Sequence, residues 1–75
     1  MESKLAELFL TINEFTKQSD KYFAEVSYSA CLKELEISIR LKENYEFVEV
    51  RKIYTEKFED SKIDELIEFI KNYKG

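Results

Sequence analysis

At 75 residues the chain lies near the lower size at which one hydrophobic core folds unaided, so a single domain over residues 1–75 with a narrow stability margin is expected. Apolar residues make up 44% and charged residues 37%, with six phenylalanines and five tyrosines, which excludes the weakly hydrophobic, one-signed profile of a disordered chain. Twelve basic against 16 acidic side chains give a net charge of −4, which disfavours the counterion-release binding that basic domains make with nucleic acid.

Leu5, Leu8, Phe9, Ile12 and Phe15 recur at i, i+3, i+4 and i+7, which predicts a helix from Ser3 to Lys17 with these residues on its buried side. Leu10 falls off the stripe and is expected to be exposed. Glu7, Asn13 and Glu14 interrupt the apolar segment and no small-residue cleavage site follows, so it reads as neither a signal peptide nor a membrane span. The lone Cys31 cannot form an intramolecular disulfide, and a domain this small made for an oxidising compartment usually carries several, so a reducing, cytoplasmic setting is expected. Abundant Lys, Ile, Asn, Tyr and Phe, with one Gly and no Pro, point to an AT-rich genome such as that of a low-GC bacterium or its phage.

After the polar run Lys17 to Lys21, Tyr22, Ala24, Val26 and Tyr28 alternate with Phe23, Glu25, Ser27 and Ser29, which predicts a first strand. Ser29 to Lys33 is its turn, with a helix starting there as the competing expectation. Leu35, Ile37, Ile39 and Leu41 alternate with charged and small polar residues in a second strand, and the alternation resumes with Val48 and Val50 in a third strand from Glu46 to Tyr54. Pairing Ile39 with Val48 and Ile37 with Val50 keeps apolar residues on one face and sets Glu36 opposite Arg51 and Arg40 opposite Phe47. The four-residue loop Lys42 to Tyr45 fits that parity, with Asn44 suited to a left-handed position. Beyond a polar connector around Phe58, Ser61 is placed to cap a last helix carrying Ile63, Leu66, Ile67, Ile70 and Tyr73, and Gly75 to end it. Early Asp64, Glu65 and Glu68 and late Lys71 and Lys74 suit its dipole. The expected fold is α+β: helix, three-stranded antiparallel meander, helix (αβββα), with both helices on one face of the sheet.

Catalytic chemistry finds few footholds. Without His and with one Cys, the usual zinc sets, histidine triads and Cys-His pairs cannot form, and a single terminal Gly excludes a Walker loop or dinucleotide fingerprint. Carboxylate pairs abound, but the chain has little room to enclose a sugar cleft. Glu56, Glu59, Asp60 and Asp64 lack the spacing and central Gly of an EF-hand loop. Cys31 has no basic cluster in sequence to stabilise a thiolate and reads as a small, partly buried strand-end residue. No enzyme activity, metal or cofactor is expected.

The element order resembles that of double-stranded RNA-binding domains, over nearly the whole chain but in topology alone. Those domains grip phosphates with a lysine-rich motif at the start of the last helix, where this chain has Ser61-Lys62-Ile63-Asp64-Glu65, so the function does not carry over.

Phe23, Phe47 and Ile53, set among Glu25, Glu34, Glu36, Glu49, Arg40 and Arg51, fall on the expected outer sheet face, and aromatic residues ringed by charge mark a protein-binding patch. Glu34, Glu36, Glu43, Glu46 and Glu49 are the candidate contacts to a basic partner. The function expected is that of a small acidic, non-enzymatic protein-binding module, such as a phage or mobile-element inhibitor or accessory protein that blocks a basic nucleic-acid-handling protein. The alternative is a homo-oligomerising structural module or secretion-type chaperone, in which a homodimer supplies burial that so short a chain lacks.

Overall fold

The computed structural model describes residues 2–73. Along the chain run α1 (Glu2–Gln18), β1 (Tyr22–Ser29), β2 (Glu34–Leu41), β3 (Phe47–Tyr54) and α2 (Asp60–Lys71). The strands form one antiparallel sheet in the order β1-β2-β3. This is the αβββα meander that the alternating periodicities dictate. No helix starts in the turn after β1; residues 30–33 close it, with Lys33 taking a positive φ of 57°. Cys31 is exposed in this turn rather than partly buried at a strand end, because the hairpin tip lies clear of both helices.

The core is the inner sheet face pressed against two helical stripes. Leu35, Ile37 and Ile39 of β2 and Ala24 of β1 meet Leu8 and Ile12 of α1 and Ile63, Leu66, Ile67 and Ile70 of α2, all buried. Each buried Leu or Ile contributes about 1.5–3 kcal/mol relative to exposure, so this cluster is the chief source of stability. Leu5 and Phe15 pack at its margin, but Phe9 is 46% exposed and leaves the expected stripe. One helical step takes it about 100° round from Leu8, past the line of contact. Leu10 is exposed, as its position off the stripe requires.

Helix ends are held by neighbours rather than by the residues expected. Lys42, from the β2–β3 loop, donates its Nζ protons to the carbonyls of Thr16 (2.8 Å) and Ser19 (2.6 Å), closing α1. Glu59, not Ser61, is the N-cap residue of α2 and makes no capping bond through its side chain. Its carboxylate instead accepts the Thr55 hydroxyl proton at 2.9 Å, while the Phe58 N–H donates to that hydroxyl at 2.8 Å. This compact turn, with Phe58 at φ 56°, swings the chain from β3 into α2 and starts the helix at Asp60, leaving Ser61 inside it. Gly75 and Lys74 lie outside the described residues.

The β2–β3 hairpin corrects the expected register. Arg40 does face Phe47, but Ile39 faces Glu49, Ile37 faces Arg51 and Glu36 faces Lys52. A β-bulge between these pairings leaves Val48 as the extra residue, and one extra residue exchanges the faces of all that follow. Glu49, Arg51 and Ile53 therefore lie on the inner face, and Val50, Lys52 and Tyr54 on the outer one. The connection runs over five residues, 42–46, since β3 starts at Phe47 and not Glu46, and Tyr45 rather than Asn44 takes the left-handed conformation, at φ 65°. Asn44 instead accepts the Glu46 N–H through Oδ1 at 3.1 Å.

Candidate protein-binding surface

Burial separates β3 from the other strands. Ile53 is its single half-buried residue, packed against the core, and the other seven positions are exposed. The helices bury the inner face of β2 and part of β1, whereas α2 touches β3 at few points, so the inner face of β3 is largely open as well as its outer one. Charges on its inner face are tolerated for that reason: Arg51 lays its guanidinium over the Phe69 ring of α2, 4.6 Å from the centroid, beside Asp64, Glu65 and Glu68 in an open groove. Glu49 lies close enough to Tyr73 to help raise that phenol above its ordinary pKa, after the larger effect of burial and the nearby Tyr22 phenol.

The outer face is built in rows fixed by the two ladders. Phe23, Arg40 and Phe47 make one row across the three strands, followed by Glu25, Ser38 and Val50, then Ser27, Glu36 and Lys52, then Ser29, Glu34 and Tyr54. Arg40 is the hub of the first. Its guanidinium stands 4.0 Å from the Phe47 ring centroid, and Nε lies 3.2 Å from the Glu25 carboxylate without being aimed along that line, so the contact is ionic rather than a hydrogen bond. Phe23 meets Tyr45 edge-on at 5.6 Å, which brings the hairpin loop onto the same face.

What remains accessible is a strip of apolar surface along β3 and its loop. Tyr45 (65%), Phe47 (59%), Tyr54 (56%), Val50 (42%) and Val48 (40%) are all exposed. Glu25, Glu34, Glu36 and Lys52 border it, and Ser38 in its middle is buried, with its hydroxyl donating to Glu36 at 3.2 Å.

Of the residues expected here, the structure brings together Phe23, Glu34, Glu36, Arg40 and Phe47 on the outer face. Glu43 and Glu46 are exposed in the adjoining loop segment, while Glu49, Arg51 and Ile53 are on the opposite side. Tyr45, Val48, Val50 and Tyr54 were not anticipated as surface residues. The adjacent apolar pair Phe47-Val48 was their one signal, since two consecutive apolar residues at a strand start break the alternation and admit a bulge.

Among the described residues no group of His, Cys, Asp and Glu is placed to hold a metal ion, and no helix is long and apolar enough to cross a membrane. Comparison with protein families, with characterised proteins and with solved structures finds no match to this chain, so the surface itself is the ground for a functional reading.

Proposed function

We infer that this chain is a non-enzymatic protein-binding module that engages its partner through the outer face of β3 and the loop before it. The single observation behind this reading is the line of exposed apolar residues Tyr45, Phe47 and Val50, resumed at Tyr54 beyond Lys52, on the face turned away from both helices. Apolar and aromatic side chains gathered on one face and rimmed by charge have the make-up of an interface core with a polar border. Arg40, already desolvated on one side by Phe47 and held by Glu25, is a preorganised anchor within it.

The partner chemistry that fits is basic. Net charge is −4, and Glu25, Glu34, Glu36, Glu43 and Glu46 surround the strip, against Arg40, Lys42 and Lys52. Such a module steers toward a cationic surface and blocks it, as an inhibitor or accessory protein acting in the cytoplasm on a nucleic-acid-handling protein would. An amino-acid composition that fits an AT-rich genome agrees with a low-GC bacterium or one of its phages as the source. The test is affinity capture from a low-GC bacterial lysate with wild-type chain and with Phe47→Ala/Tyr54→Ala, eluted by rising salt. A basic protein held by the wild type, lost from the double variant and released as salt rises is the expected result. Retention that ignores both the substitutions and the salt would overturn it.

A further inference from the structure

The two edges of the sheet are treated differently by the rest of the chain. On β1, the N–H groups of Tyr22 and Ala24 point away from β2 and are taken by the hydroxyls of Ser19 (2.9 Å) and Thr16 (3.1 Å), so the end of α1 closes part of that edge. Among the described residues β3 has no strand neighbour but β2, and α2 covers its edge at the end, where Lys62 Nζ donates to the Tyr54 carbonyl at 3.1 Å; the N–H and carbonyl groups further back have no such partner. An edge open over its middle, in a strand rich in Val, Ile and aromatic residues and without proline, is a template for another strand.

Hydrogen-bond phase narrows what can pair there. The Thr55 N–H donates to the Lys33 carbonyl at 2.8 Å, and the ladder that continues from this pair matches Ile53 with Leu35, Arg51 with Ile37 and Glu49 with Ile39. Alternation of bonded and non-bonded pairs then turns the backbone groups of Val50, Lys52 and Tyr54 outward, to the free edge. A second β3 running antiparallel must set outward residues against outward residues. This leaves pairings centred on a single residue, and charge chooses among them. Centring on Glu49 sets Glu49 against its own copy, and centring on Arg51 or Lys52 does the same with two cations. Centring on Val50 sets Val50 against Val50 on the outer face and, on the inner face, Glu49 against the Arg51 of the second copy, twice over.

The geometry points to a homodimer in which β3 pairs with β3 of a second copy, antiparallel and centred on Val50, joining two three-stranded sheets into one. The two-fold axis is perpendicular to the sheet, so all helices stay on one side and the two outer faces merge. The apolar strips of Phe47 and Val50 from both copies then become continuous. Pairing also satisfies the open backbone groups of Val50, and burial across the join supplements a core limited by chain length. The Val48 bulge confines the regular pairing to the middle of the strand. This inference goes beyond the reading above because it uses the backbone edge and needs no other protein.

Sedimentation velocity across concentrations, on chain carrying Cys31→Ser so that the exposed thiol cannot cross-link copies, tests it directly. A reversible monomer–dimer equilibrium is expected for this parent. Glu49→Arg and Arg51→Glu should each weaken it roughly tenfold, because each sets like charges opposite one another in both symmetric pairs. An equimolar mixture of the two variants should recover dimer, since a chain with cations at both positions then faces a chain with carboxylates at both. Val50→Pro, tolerated at an edge whose N–H faces outward, should abolish dimer while leaving the circular dichroism of the monomer intact. A parent that stays monomeric at every concentration overturns the proposal, as does a dimer indifferent to Val50→Pro. A dimer sensitive to proline but indifferent to the charge exchange, including the mixture, overturns the Val50-centred register.

Discussion

Ile39 of β2 stands opposite Glu49 of β3, although Val48 is the residue that regular alternation would put there. An apolar core residue thus has a carboxylate for its cross-strand neighbour, and this holds because the helices leave Glu49 exposed to water. The displacement carries Val48 and Val50 out of the core and supplies the surface on which the functional reading rests.

That register has a direct energetic consequence. Ile37→Ala, at a position with no solvent exposure, should cost about 2–5 kcal/mol, whereas Val50→Ala should cost less than about 1 kcal/mol. Urea denaturation of both variants measures the difference. Equal, large losses would return Val50 to the core and remove the bulge from the description.

Thr55 is buried at the junction of β3 and α2, where one hydroxyl both accepts from the Phe58 N–H and donates to Glu59. Thr55→Val keeps the volume but strands the Phe58 N–H, a loss of about 1–3 kcal/mol. Thr55→Ser retains the hydroxyl and should lose less. Thermal melts of the pair report whether the bond or the methyl group matters more.

Lys42 binds the chain end of α1 to the β2–β3 hairpin through two carbonyls. Lys42→Met removes the charge and both donors, and should destabilise by roughly 0.5–2 kcal/mol. Amide exchange should rise first in the last turn of α1 and at Lys21 and Tyr22, which the same contact holds in place. Exchange that rises uniformly instead would mean the contact has no local role.

Alkaline pH should weaken the fold. Burial foremost, with Tyr22 and Glu49 adding to it, holds the Tyr73 phenol above its ordinary value of 10.0. The hydrogen bond to the Asp64 carboxylate is the main cause raising Lys4 above 10.5. Both groups keep in the folded state a proton that the unfolded chain releases sooner. Their stabilisation is therefore complete below the unfolded values and is lost as pH rises through the folded ones. Tyr73→Phe preserves the edge-to-face ring contacts with Phe15 and Tyr22 and removes one of these titrations. Its alkaline unfolding midpoint, followed by circular dichroism beside phenolate absorbance, should move to higher pH.

The element order, the strand limits to within about a residue and most of the core were legible in the sequence, because periods of 3.6 and 2 sort apolar from polar residues before any packing is known. Leu35, Ile37, Ile39 and the α2 stripe illustrate this. The candidate surface was legible only in part. Phe23, Arg40 and Phe47 precede the bulge in the ladder and fell where expected, whereas Glu49, Arg51 and Ile53 follow it and were placed on the wrong face. Nor did Ser61 reveal that Thr55, six residues earlier, would draw Glu59 into a turn and start α2 ahead of it.

Local periodicity by itself determined which residues must be buried together, and hence the αβββα order, since each amphipathic element has one side that water disfavours. Only the tertiary structure decided how far two short helices extend over three strands: they bury β2 but touch β3 at a few points, Ile53, Arg51 on Phe69 and Lys62 on the Tyr54 carbonyl, and leave seven of its eight residues exposed. So thinly covered, β3 is free of the constraint that pins parity in a buried strand. There a single extra residue settles which side chains meet the solvent.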